Sequence, residues 1–114
     1  MGGSFQTSDE HSHPNLKPLR VPSLQDGIYS EAKNLVEDLP KWKLEKADDA
    51  QRVLTCERSG GLLGGPSRIT ITVEGPAGMP SSIVNCRSES LGGLLSRDKA
   101  NVLEFMVPFH RRVC

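Results

Sequence analysis

The chain has 114 residues, enough for one packed core, and its 14 Lys and Arg are matched by 14 Asp and Glu, so it carries no net charge. That balance offers no global field for nucleic acid or an anionic membrane, and one Trp, one Tyr and three Phe are too few for a base-stacking surface. No apolar run approaches the ~18 residues of a membrane span, and no charged-then-apolar leader opens the sequence, so a cytoplasmic protein is expected.

Residues 1–22 hold Pro14, Pro18 and Pro22 among Ser, Gly and His, without periodicity, and are expected to form a disordered tail ahead of a single domain over 23–114. His11 and His13 lie in that tail, where a mobile segment would not hold a metal ion, and no metal is expected. A first helix is signalled by Ser23 as N-cap, with Asp26 three residues on as a weak capping box. Leu24, Ile28, Ala32, Leu35, Val36 and Leu39 then recur at helical spacing, and Pro40 ends the run.

Four strands follow in the pattern. Over 41–46, Trp42 and Leu44 alternate with charged residues, and the polar turn 47–50 leads into a return over 52–58 with Leu54 and Cys56 inward. Ile69, Ile71 and Val73 alternate with Arg68, Thr70, Thr72 and Glu74. Gly75-Pro76-Ala77-Gly78-Met79-Pro80 breaks the chain, and 82–88 runs back with Val84 and Cys86 inward. A second helix is expected from Ser96, with Asp98 in its first turn and Leu95, Val102, Met106, Phe109 and Val113 as its apolar stripe, Phe105 lying beside it.

The order α-β-β-β-β-α predicts an α+β two-layer sandwich: a four-stranded antiparallel meander with both helices on one face. Leu44 opposite Leu54, and Leu54 opposite Ile71, keeps the apolar residues on one side and sets Lys41, Glu57 and Arg68 in a row on the open face. Val53 and Ile83 are the few apolar residues there, and homodimerisation through that face is one expectation. Cys56 and Cys86 would then be separated by a strand, too far apart for a disulfide, and read as small buried hydrophobes.

The string Gly-Gly-Leu-Leu occurs at 60–63 and again at 92–95. Strand order brings both copies to one end of the sheet, beside the start of the second helix. Gly60, Gly61, Leu62, Gly92, Gly93 and Leu94 are therefore candidate contact residues, and Ser88, Ser90, Ser96, Arg97, Asp98 and Asn101 are candidates for a small anion or molecule at the helix start. The competing expectation is that the leucines only close the core. Gly60 and Gly65 have the outer spacing of a phosphate loop, but Pro66 stands where its Lys belongs. His110 has no Ser or Cys partner in the pattern, and no cofactor or catalytic set is expected. Asp98, Asn101 and Glu104 fall on successive turns of one helix and could line a pocket, but their polarity reads first as its solvated side.

The stretch Cys86-Arg87-Ser88-Glu89-Ser90-Leu91-Gly92, followed by Ser96-Arg97-Asp98-Lys99-Ala100-Asn101, resembles the C-terminal signature of the bacterial and plastid domain-of-unknown-function family fourteen ninety-nine. There a strand ends in Ser-x-Ser, a Gly-containing loop follows, and Asp and Asn open the last helix. Ser88, Ser90, Gly92, Asp98 and Asn101 are the matching positions, within a span of 24–113. The loop here is longer and richer in leucine, and the family's Cys-Pro and Asn-Cys segment is absent. The resemblance implies no activity. Two functions are thus expected: a non-enzymatic binding or protein-interaction module that uses the Gly-Gly-Leu-Leu end, or a small-anion or small-molecule site, enzymatic or not, at the start of the second helix.

Overall fold

A computed structural model describes residues 3–60, 64–92 and 97–114. The helices are α1 (Gln25–Asp38) and α2 (Asp98–Val113); the strands are β1 (Ser4–Gln6), β2 (Leu19–Val21), β3 (Trp42–Asp48), β4 (Val53–Arg58), β5 (Ser67–Glu74) and β6 (Ser82–Ser90). Strands β3 to β6 form the expected meander, every pair antiparallel. The sheet nevertheless has six strands, because β1 and β2 share the far edge of β6.

Those two strands come from the stretch expected to be a tail. Ser4–Gln6 pairs with Glu89–Arg87, and Leu19–Val21 pairs with Val84–Ser82. Between them the chain makes a closed excursion: the Ser8 amide donates to the Leu16 carbonyl at 2.9 Å, and Pro14–Leu16 forms one 3-10 turn. Leu16, Leu19 and Val21 are buried in the core. Three-residue strands show too little alternation to announce themselves; pairing with β6 forms them, and burying their apolar residues offsets the entropy of ordering the segment.

Leu54 lies opposite Ile71 and Ile71 opposite Cys86, as the alternation requires. In β3 the register differs from expectation. A bulge at Glu45 puts Leu44 opposite Cys56 and Ala47 opposite Leu54, keeping Trp42, Leu44 and Ala47 on the inner face despite the extra residue. The charged row on the outer face therefore starts at Lys43 rather than Lys41, and continues through Glu57, Arg68 and Glu89.

Both helices cover the inner face. α2 lies on β6 and β1, α1 on β3 and β5, and the helices touch each other. Val102, Phe105, Met106 and Phe109 of α2 are fully buried, as are Ala32 and Val36 of α1. Phe105 and Phe109 stack with centroids 4.9 Å apart. Ser23 forms no capping box: α1 is capped by Leu24, which is 53 % exposed, and Asp26 instead accepts Arg52 Nε at 2.7 Å. Buried Gln25 takes a different role, its amide donating to the carbonyls of Pro76, Met79 and Ser81 and so holding the β5–β6 loop. α2 continues through Pro108, which has no N–H to offer the Glu104 carbonyl.

Candidate functional site

The inner face changes character along β4, β5 and β6. Ile69, Ile71, Val73, Val84 and Cys86 are apolar, but the positions of the same parity nearest the start of α2 are Arg58, Ser67, Ser88 and Ser90, all buried. Polar side chains buried on a sheet require partners. α2 supplies them.

Ser88 Oγ donates to Asp98 Oδ1 at 2.7 Å and Ser90 Oγ donates to Asp98 Oδ2 at 2.8 Å, so one carboxylate bridges two alternate residues of β6. Asn101, one turn further along α2, donates from Nδ2 to Ser88 Oγ at 3.1 Å and accepts Arg97 Nε at 2.9 Å. A turn beyond, Glu104 takes Arg58 as a fork, Nε at 2.6 Å to Oε1 and Nη2 at 3.2 Å to Oε2. Glu104 Oε1 also accepts the Trp42 indole N–H, and Arg97 Nη2 lies 3.5 Å from Oε2. These bonds link β6, α2, β4 and β3 in one polar chain.

Asp98, Asn101 and Glu104 are thus on the sheet-facing side of α2, where the pattern of the sequence suggested its solvated side. Asp98 and Asn101 are buried, and Glu104 is half-buried. Burial pushes the Glu104 carboxyl up, but the hydrogen bonds from Arg58 and Trp42 and the Arg58 and Arg97 charges outweigh it and hold the pKa below the usual value. Four of the five residues that carry the sequence resemblance, Ser88, Ser90, Asp98 and Asn101, are bonded within this cluster.

Above the first turns of α2 a groove of about 560 Å³ opens against β1, lined by Gly3, Ser4, Phe5, Arg97, Asp98, Lys99, Ala100 and Leu103. Phe5 is paired with Ser88 in the sheet, and its ring stacks on His11 with centroids 4.8 Å apart. Sequence reasoning found Arg97 and Asp98 but missed Phe5, because β1 was read as tail. It also left out Arg58 and Trp42, and read Glu104 as solvated. Arg58 was detectable, since it continues the inward parity of Leu54 and Cys56.

The Gly-Gly-Leu-Leu candidates divide. Gly61, Leu62, Gly93, Leu94 and Ser96 lie outside the described residues. Their described flanks do meet at one end of the sheet, where the Leu91 amide donates to the Pro66 carbonyl at 2.9 Å. Gly60 is sterically required: a Cβ there would stand 2.2 Å from the Gly64 carbonyl oxygen, whereas a Cβ on Gly92 would meet nothing within 4 Å. α2 starts at Asp98 with Arg97 as its cap residue.

Among the described residues no group of His, Cys, Asp and Glu is placed to hold a metal, and no helix is long and apolar enough to cross a membrane. His110 Nε2 is buried without a hydrogen-bond partner among the described residues, and burial lowers the pKa of its ring. Cys56 and Cys86 are buried free thiols on β4 and β6, with β5 between them.

No protein-family model matches the chain, and no curated protein matches it. Solved structures do. Ara h 8.0201 superposes with a TM-score of 0.57 at 10 % identity, over 97 % of this chain and 99 % of that one. Norcoclaurine synthase from Thalictrum flavum, in complex with dopamine and hydroxybenzaldehyde, superposes with a TM-score of 0.55 at 16 % identity, over 96 % of this chain and 88 % of that one. A point mutant of that synthase, in complex with a transition-state analogue, gives 0.54 at 16 % identity over 95 % and 83 %. At such identities the likeness is one of fold: two helices on an antiparallel sheet in the Bet v 1-like arrangement.

Proposed function

We propose that this chain is a small-molecule binding module whose site is the groove between β1 and the first two turns of α2. The observation that carries the reading is the groove's construction. Its α2 wall is tied from beneath to β6 through Asp98, Ser88, Ser90 and Asn101, while Phe5 and Leu103 give it apolar surface. A rigid wall beside a partly apolar concavity of this size suits a small ligand, since little ordering entropy is lost on binding. Support also comes from the synthase of the same fold, which was solved with small aromatic molecules.

The alternative, contact with another protein through the Gly-Gly-Leu-Leu end, has one described residue in its favour: Leu91, 44 % exposed beside Gly92. A single exposed leucine is common on monomeric proteins, so the groove is the stronger case.

Titration of the isotope-labelled protein with naphthol, a neutral aromatic probe, tests the reading by backbone amide shifts. Saturable shifts confined to Gly3–Phe5 and Arg97–Leu103 are expected. Shifts scattered over the surface, or centred on Leu91 alone, would overturn it.

A further inference from the structure

The groove's lining is chemically uneven. Phe5, Ala100 and Leu103 give it an apolar stretch, and His11 stacked on Phe5 fixes that ring. The remaining side chains with charge are Arg97, Asp98 and Lys99.

Their engagements differ. Both Asp98 oxygens accept serine hydroxyls, and the Arg97 guanidinium is spent on Asn101 and Glu104. Lys99 is exposed, and no carboxylate of the described residues lies within 4.0 Å of its ammonium, whereas Arg97, the other cation lining the groove, has Glu104 at 3.5 Å. The Glu104 charge is already matched by Arg58. Two cations and one anion leave the groove with a net positive lip, and the charge there with no ion pair among the described residues is Lys99. A ligand cation placed there would meet Lys99 directly, while a ligand anion would find a partner at no cost to the existing network.

We propose that the groove takes a small soluble anion with an apolar body, the carboxylate-type group at Lys99 and the body along Phe5, Ala100 and Leu103. This deepens the reading of the groove as the ligand site and rests on it. The volume of about 560 Å³ fits a small organic acid of one or two rings, well within the range of small-molecule pockets.

Calorimetric titration with naphthoate, naphthol and naphthylmethylammonium at low salt separates the charge from the body, which the three probes share. Naphthoate is expected to bind about tenfold more tightly than naphthol, the gain of one charge-assisted contact, and the ammonium most weakly. In Lys99→Gln the naphthoate advantage over naphthol disappears; in Lys99→Arg the advantage is retained. Lys99 is exposed, so both variants keep the fold, which their amide spectra verify.

Equal affinities, or an advantage that survives in Lys99→Gln, overturn the choice of anion while leaving the groove as a binding site. Failure of all three probes to bind removes the groove reading itself. Tighter association with vesicles containing phosphatidylglycerol than with phosphatidylcholine alone, without a naphthoate advantage, would assign Lys99 to a lipid surface and also overturn the proposal.

Discussion

Arg58 Nε donates to Glu104 Oε1 at 2.6 Å, tying the last residue of β4 to the second turn of α2. The arginine side chain is 6 % exposed and the glutamate 29 %, so the pair is shielded chiefly on the arginine side. Glu104→Gln keeps the shape but leaves a buried guanidinium opposite a neutral amide. A loss of about 2 kcal/mol in unfolding free energy is expected, below the usual cost of breaking a fully buried pair because water reaches the glutamate. Urea denaturation measures it.

The same carboxylate makes stability depend on pH. Its folded pKa lies below the ordinary 4.5, so the ionised form is favoured in the folded state. The stabilisation is complete above the unfolded value and is lost as pH falls through the folded one. Denaturation midpoints of the wild type and Glu104→Gln should therefore differ most near neutrality and converge as the pH falls through the folded value, below 4.5. A gap independent of pH would mean the glutamate acts through packing alone.

Asp98→Ala removes the carboxylate that accepts the Ser88 and Ser90 hydroxyls. With buried polar groups losing their acceptor, about 2–3 kcal/mol of destabilisation is expected, together with faster amide exchange in the first turns of α2. Naphthol binding should weaken in the same variant, because the groove's wall is no longer fixed.

The two glycine positions give opposite expectations. Gly60→Ala forces a Cβ to 2.2 Å from a backbone oxygen, so the loop must shift, at a cost of about 1–3 kcal/mol. Gly92→Ala meets open space, and should leave the melting temperature unchanged or slightly raised. Thermal melts of both variants decide the matter.

Thiol titration with an aromatic disulfide should show one fast-reacting cysteine of three in the native protein, Cys114, and all three in denaturant. Burial raises the Cys56 pKa to about 12 and raises that of Cys86 as well, so neither supplies thiolate at neutral pH.

The sequence made the meander legible because each of its central strands has a long alternation. Leu54 and Cys56, Ile69 to Val73, and Val84 and Cys86 fix parity and register together. β1 and β2 escaped because three residues carry no period and three prolines surround them. The bulge at Glu45 escaped because alternation continued past it would have looked like a strand's end. In the site, Ser88 and Ser90 were noticed for their place near a glycine loop, yet their parity held more information. They stand where Val84 and Cys86 predict apolar residues, and a polar residue facing inward demands a polar partner on the covering helix. Asp98, Asn101 and Glu104 answer that demand, which is why their helix face is buried rather than solvated.

Trp42 is the only tryptophan in the chain, and its indole N–H is bonded to Glu104 of α2. Its fluorescence thus arises at the seam between helix and sheet, from a single emitter whose polar end faces a carboxylate. A ligand, an acid pulse or a substitution that lifts α2 by even part of a turn alters that emission. The native protein therefore carries an unlabelled optical gauge of how firmly the helix that walls the groove is seated.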